Sequence, residues 1–379
     1  MIYLDNAATS FPKPESVYHA IDEVNRNLMV NAGRGTYKLA AQANLLINET
    51  RINLAKMLGV MAEDVFFLPS DTYAMNCVIN GLDWTSKKTV YVTPFEHNAV
   101  MRPLHLKVKM GQATIKLIPF NSDFSINEEN FKNMIATDSP DYIFVNHASN
   151  VIGNIVNIKA IYEITKICKP IITLDVAQTI GLLDLRKIKA FVDFIVFAGH
   201  KNLQGPIGIG GFARTRDIKL NITLAGGNGS DSLNLDMPET GSARYEVGSP
   251  NISAIAGLNA GIKWINEVKM ENIATHKCGL ISRLVDGLKL IDKVTIFKPK
   301  NEDFITGVLS FVVKGYESVD VGKILDDEFN IAVRTGHHCA PTVNNIIDDI
   351  EYGGTVRISV GYFNTDEDID RLIEAIRSL

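Results

Sequence analysis

The octapeptide RTGHHCAP, residues 334–341, sets two histidines directly before a cysteine, between an Arg-Thr-Gly turn and Ala-Pro. A thiol in that setting can be a metal ligand, a buried core side chain or a nucleophile. The other cysteines, Cys77, Cys168 and Cys278, sit in the apolar or helical contexts AMNCVING, ITKICKP and THKCGL. There a free cysteine behaves as a small buried hydrophobe. Cys339 differs, because its neighbours are polar and turn-forming. The four cysteines form no CxxC, which points to free thiols in a reducing compartment.

Four further segments carry residue types suited to chemistry. In FAGHKNLQGPIGIGGF (197–212) an apolar run leads into Gly-His-Lys and then a Gly-rich stretch. Lys201 there is either a solvated loop residue or the lysine that carries pyridoxal 5'-phosphate (PLP) covalently. In ITLDVAQT (172–179) Asp175 ends an apolar run, one strand unit before Lys201. It can cap a helix or supply the anion that keeps a PLP pyridine nitrogen protonated. In LPSDTYAMN (68–76) a run ends at Ser70 and a helix is expected near Thr72. Its free N–H groups can hold a phosphate, or the hydroxyls can simply cap the helix. Asp71 would repel a phosphate, so it is expected to turn away or to cap. In TPFEHNAV (93–100) His97 follows another run end, where an imidazole can be structural, or can stack on a cofactor ring and move protons.

These residues need elements to position them. Amphipathic helices are expected over 14–29 and over 37–60, the second ending at a Gly. The short apolar runs DVFFLPS, KTVYVTP, ATIKLIPF, DYIFVNH, PIITLDVA and DFIVFAGH read as strands, most of them separated by helix-like segments. That alternation predicts a mostly parallel sheet with ligands outside its carboxyl edge. Ser70, His147, Asp175 and His200 all end such runs and are expected near one pocket. From about 252 two helical stretches, the runs KVTIF and GVLSFVV, the helix SVDVGKILDDEF, the run GGTVRISVGYF and a closing helix suggest a smaller α+β domain. The Gly-rich stretch 224–251 reads as a long functional loop.

The 379 residues are enough for two ordinary domains, or for a large one with a smaller one attached. A net charge of −5 disfavours nucleic acid as the main partner. No apolar run approaches a membrane span. The N-terminus MIYLDNAATSFPKPES lacks a basic start followed by an apolar core, so no secretion signal is expected.

Together YLDNAAT, NAGRGTYKLA, FEHNA, HASNVIGN, LDVAQ, GHK, RYEVGSPN, RTGHHCAP and VRISVGYFNT resemble the PLP-dependent cysteine desulfurases of aminotransferase class V, in the SufS-like branch that includes selenocysteine lyases. The likeness runs from Tyr3 to about Ile376. It implies an α/β fold of PLP-dependent transferase fold type I, with a large domain (15–254) on a mostly parallel sheet and a smaller α+β domain (1–14 and 255–379). It implies that Lys201 bonds PLP, Asp175 pairs with the ring nitrogen, Gln178 bonds the ring oxygen and His97 stacks on the ring. The backbone at Asp71 and Thr72, with His200, would hold the phosphate. Ser249 would reach the phosphate of a neighbouring subunit in a homodimer. Asn150 and Arg357 would hold the substrate carboxylate, for which a guanidinium offers a bidentate grip. The implied substrate is L-cysteine or L-selenocysteine, with a sulfur-acceptor protein as partner, no metal, no nucleic acid, no membrane, and a cytoplasmic location. Another C–S lyase or an aminotransferase of the same fold is the alternative. The chain departs from the pattern at Ala198, where relatives carry a hydroxyl, at Tyr73, and in a longer segment between Cys339 and Arg357.

Three consecutive residues cannot readily converge on one metal ion, and a polar turn is a poor place for a core thiol. The reading that remains for Cys339 is a nucleophile that takes sulfur as a persulfide, with Arg334 or a protonated His337 or His338 favouring its thiolate.

Overall fold

The computed structural model describes residues 1–32, 35–227, 233–299 and 304–379. Residues 33–34 of the NAGRGTYKLA motif and 228–232 of the Gly-rich stretch lie outside the described residues. The chain opens with β1 (Ile2–Tyr3), α1 (Glu15–Asn27) and α2 (Lys38–Leu58). Gly59 takes a left-handed φ of 71° and ends α2 where the sequence expects a stop. Then come β2 (Val65–Leu68), α3 (Asp71–Gly81), β3 (Lys88–Val92), α4 (Asn98–Lys109), β4 (Ala113–Leu117), α5 (Glu128–Thr137), β5 (Tyr142–Asn146), α6 (Ile158–Thr165), β6 (Ile171–Asp175), β7 (Phe194–Ala198) and β8 (Gly210–Arg214). The chain continues through α7 (Ile252–Val268), α8 (Met270–Leu288), β9 (Val294–Phe297), β10 (Val308–Val313), α9 (Ser318–Phe329), β11 (Ile331–Ala332), β12 (Arg334–Gly336), β13 (Thr355–Ser359) and α10 (Asp366–Ser378).

Among the described residues the central sheet has the strand order β2-β8-β7-β6-β5-β3-β4. The pairs from β7 through β6, β5 and β3 to β4 are parallel, while β8 runs antiparallel to both β7 and β2. Two reversals restore direction, so β2 points the same way as β7. The carboxyl ends of all the predicted strands therefore meet one edge, as a sheet wrapped by helices requires. Its apolar runs are buried on both faces.

β8 was not among the expected strands, because glycines lower strand propensity. Here they are steric necessities. A Cβ on Gly210 would lie 2.6 Å from the Asp71 backbone nitrogen, and one on Gly211 would lie 2.0 Å from the Phe66 carbonyl oxygen. The Gly-rich run thus lets a strand slide directly under the start of α3.

A second sheet of order β12-β13-β10-β9 carries the C-terminal segment. Residues 334–336, expected as a turn, form β12 and pair with β13. Ile2 and Leu4 pack with α8, α10 and these strands in one apolar cluster, and β1 pairs with β11. The expected domain limit at 254 falls within α7, whose Ile255, Leu258, Ile262 and Ile265 pack in the larger core.

One buried charge-bearing group sits between these layers. The Lys277 amine of α8 is buried and donates to Asn202 Oδ1 at 3.0 Å. Burial pushes its pKa from 10.5 down to about 7. Between those values the unfolded chain holds a proton that the folded chain lacks, so stability contributed at this site rises with pH across that window. Lys277→Met keeps the shape and removes the titration. Its denaturation midpoint should rise less steeply with pH between about 7 and 10, by roughly one proton, or ~1.4 kcal/mol per pH unit. Identical slopes for the two proteins would count against a neutral buried amine.

Candidate active site

Four connections at the carboxyl edge bring the predicted residues together. After β2, Ser70 caps α3 by accepting from the Tyr73 N–H at 3.2 Å, which leaves Asp71 as the first helical residue. After β3, His97 caps α4: its Nδ1 accepts from the Ala99 N–H at 3.1 Å. That bond puts the ring proton of neutral His97 on Nε2. After β6, Asp175 accepts from the Ala177 N–H at 2.9 Å and is buried. After β7 come His200 and Lys201. The His200 carbonyl accepts from Ser10 and from the Lys13 amine, which ties the N-terminal segment across this loop.

Their mutual influence defines a shared electrostatic space. Burial, and then the nearby Asp71 carboxylate, pushes the Asp175 pKa up to about 6, while the Lys201 ammonium opposes the rise. Burial and then Lys201 push His97 and His200 down to about 4, so both imidazoles are neutral at pH 7. Asp71 raises both histidines. The cap of α3 is Ser70 and not Asp71. Thr72 is exposed on the first turn. Gln178 is buried and donates to the Ala7 carbonyl at 3.0 Å. His147, expected nearby, instead bonds Thr179 Oγ1 at 2.8 Å, and burial alone lowers its pKa.

The C-terminal unit supplies the other wall. Arg334 on β12 faces Arg357 on β13 in register. Arg357 is 2 % exposed; its Nη1 donates to the Asn150 carbonyl at 3.0 Å and its Nη2 to Asp5 Oδ1 at 2.5 Å. Burial lowers the Arg357 pKa, and Asp5 counters that. Asn150 Nδ2 donates to the His338 carbonyl at 2.8 Å, and the Cys339 carbonyl accepts from the Asn98 N–H at 2.8 Å. These two bonds dock the cysteine segment against the loop after β5 and against α4, directly beside His97. His338 and Cys339 both have left-handed φ values, 49° and 58°, a conformation uncommon outside glycine. Cys339 is exposed, and its Sγ lies 3.9 Å from Arg334 Nη2. His338 is buried against Thr355 Oγ1 at 2.8 Å, and burial pushes its pKa to about 2.

Ser249, like His147, is not among the residues brought together here. It is exposed and lines a different pocket with Ile47, Arg51 and Glu246. Residues the sequence reading did not assign are Asp5, which engages Arg357, and Glu96, a fully buried carboxyl beside His97. Burial pushes the Glu96 pKa to about 8. Asp5 was within a quoted motif, YLDNAAT, but its partner is 352 positions away.

The aminotransferase class-V family model matches residues 2–372. The chain is 30% identical over 389 residues to a probable cysteine desulfurase of Methanothermobacter thermautotrophicus, covering 100% of this chain and 94% of that protein. It is 30% identical over 392 residues to a probable cysteine desulfurase of Pyrococcus abyssi, with the same coverage of both. Among solved structures, the apo structure of a cysteine desulfurase from Thermococcus onnurineus NA1 superposes with a TM-score of 0.91 at 29% identity, covering 100% of this chain and 94% of that one. With a family match over nearly its whole length and a site built from the same strand ends that carry its motifs, this chain belongs to the class-V aminotransferase family.

Proposed function

We propose that the protein is a cysteine desulfurase, which takes the sulfur of L-cysteine onto Cys339 and releases L-alanine, with PLP held at Lys201. One observation carries this reading: an exposed thiol beside a guanidinium, on a segment docked against His97 and opposite buried Arg357.

The residues fit the cofactor. Asp175 is a buried carboxylate with no cation bonded to it among the described residues, and a protonated ring nitrogen is the partner it needs. His200 Nδ1, Asn150 Oδ1 and Arg357 Nε are buried and without hydrogen-bond partners among the described residues. Such groups are costly to leave unpaired, and each is a candidate contact for cofactor or substrate. PLP, when bound, supplies an electron-accepting ring that stabilises negative charge on the substrate carbons. The α3 N-terminus, with Thr72 and His200, would hold the phosphate, and Gln178 would bond the ring oxygen.

The chain's own residues then divide the remaining work. Arg357 grips the substrate carboxylate through Nε while Asp5 and the Asn150 carbonyl fix the guanidinium plane. His97, neutral with its proton on Nε2, would lie against the cofactor ring, where that N–H can donate a hydrogen bond. The Cys339 thiolate attacks the substrate sulfur: an S–S bond forms, the C–S bond breaks, its electron pair stays with carbon, and that carbon takes a proton to become the alanine methyl group. The Arg334 guanidinium borders the Cys339 sulfur at 3.9 Å.

The protein acts as a homodimer in which Ser249 reaches the neighbouring phosphate; its exposure away from its own site supports this. Sedimentation should give a dimer, and a monomer with full cofactor occupancy at low concentration would refute it. Among the described residues no helix is long and apolar enough to cross a membrane, and the free thiols fit a reducing cytoplasm. The functional assignment itself is tested by incubation with L-cysteine: alanine and Cys339-bound sulfur should appear in equal amounts in the first turnover. Alanine without added sulfur on Cys339 would refute it.

A further inference from the structure

We propose that His337, held by the buried carboxylate of Asp349, is the proton acceptor that lets an external thiol take sulfur from Cys339. This rests on the reading of Cys339 as a persulfide carrier and assigns a role to the segment between Cys339 and Arg357. A pocket of about 430 Å³ opens at the cysteine, lined by Asn98, Arg334, His337, Cys339, Pro341 and Asn344. Its size admits a small thiol or the tip of a cysteine side chain.

Of the two adjacent imidazoles, His338 is buried and bonded to Thr355, which removes it from proton traffic at the mouth. His337 is the opposite case. Its side chain is 56% exposed, and its Nδ1 lies 3.7 Å from Asp349 Oδ2, a carboxylate only 1% exposed. The other Asp349 oxygen is buried and unpartnered among the described residues. Burial raises the Asp349 pKa, and His337 is the foremost influence lowering it. The carboxylate thus stands behind Nδ1, within ion-pair distance of the ring.

The turn that presents Asp349 is fixed in place. The Asp349 carbonyl accepts from the Tyr352 and Gly354 N–H groups at 3.2 and 3.0 Å. Gly354 has φ 99°, and a Cβ there would come within 2.3 Å of Gly336, the residue just before His337. Glycine is thus required for the turn to press against β12 and bring the carboxylate behind the imidazole. The charged and titratable groups around His337 are Asp349 and Asp348 from this turn, Arg334 from β12, and His338 and Cys339 from its own segment.

The step balances. Neutral His337 takes the proton of the incoming thiol; the thiolate attacks the outer sulfur on Cys339. A new S–S bond forms, the Cys339 S–S bond breaks, and the Cys339 thiolate recovers the proton. The net exchange moves one sulfur from Cys339 to the thiol with no external oxidant or reductant.

The test separates the two half-reactions in the holoenzyme. Rapid quench with L-cysteine measures the alanine burst. After removal of excess cysteine, 2-mercaptoethanol is added and the loss of one sulfur from Cys339 is followed by mass spectrometry across a pH series. In His337→Gln the ratio of discharge rate to burst rate should fall about tenfold to hundredfold, within the span of a positioned proton acceptor. Asp349→Asn should lower that ratio as well and move the pH dependence of discharge to lower pH, a shift that a purely structural role would not produce. An unchanged ratio in both variants overturns the proposal. A wild type that makes alanine with no sulfur on Cys339 overturns the function reading instead.

Discussion

Lys201→Ala should purify without cofactor colour and should lose alanine formation by a factor of at least ~10²–10⁴, the usual worth of a positioned proton-transfer group before any loss of cofactor is counted. Lys201 follows β7 directly, and its charge acts on His97, Asp175 and His200 from one point. Among the described residues no other lysine combines that reach with a place on the carboxyl edge. Lys13 is nearby, yet its amine is committed to Ser10 Oγ at 2.7 Å and the His200 carbonyl at 2.8 Å, and burial pushes its pKa to about 8. Borohydride treatment of the wild type followed by peptide mapping should therefore place the reduced pyridoxyl group on Lys201. A label on Lys13 instead would move the cofactor's attachment point and weaken the assignment of Asp175. Removing the Lys201 charge should also raise the pKa of His97 and His200, since Lys201 is the second influence after burial holding each of them down. An NMR titration of the histidines in the Lys201→Ala apoprotein can read that independently of activity.

Much of the large sheet could be read from local sequence because its signal is local. Six apolar runs, four of them ending in Ser70, His147, Asp175 or His200, became six strands whose ends share an edge, and the chemistry-bearing residues travelled with them. What escaped depends on pairings that no window of sequence contains. β8 opens with two glycines because neighbouring backbone comes too close for a Cβ. β12 is three residues long and exists through its register with β13, whose paired residues lie 19 to 23 positions later. Asp71 was expected to turn from an anion site or to cap the helix, and it is Ser70, one residue earlier, that holds the cap. The engagement of Arg357 by Asp5 joins the two ends of the chain. Such tertiary contacts decide which donors of Arg357 remain for a ligand, and composition and spacing carry no signal for that.

Cys339→Ala should abolish most alanine formation from L-cysteine while sparing much of the activity on L-selenocysteine. The physical reason lies in the leaving atom. Expelling a poorly stabilised sulfur species from carbon is slow, so a nucleophile that accepts the sulfur lowers the barrier. Held in the pocket beside the substrate, Cys339 acts at a high effective concentration, a benefit that positioning alone can make as large as 10⁵–10⁸ M. The carbon–selenium bond is weaker, and selenium departs with less assistance. The cofactor should remain bound in the variant, because Cys339 joins the site through backbone contacts to Asn98 and a guanidinium at 3.9 Å, and touches none of the groups assigned to hold the ring. Absorbance of the variant tests that directly and separates lost chemistry from lost cofactor. In the wild type, brief exposure to L-cysteine should add sulfur to exposed Cys339 and leave buried Cys77 unmodified, since burial raises the Cys77 pKa and keeps it a thiol. Arg334→Ala should slow the same step less severely, because it removes the guanidinium beside Sγ and leaves the nucleophile in place. An Ala variant at position 339 that desulfurates cysteine at the wild-type rate would rule out the persulfide route, and direct elimination of sulfide would then be the chemistry this site performs.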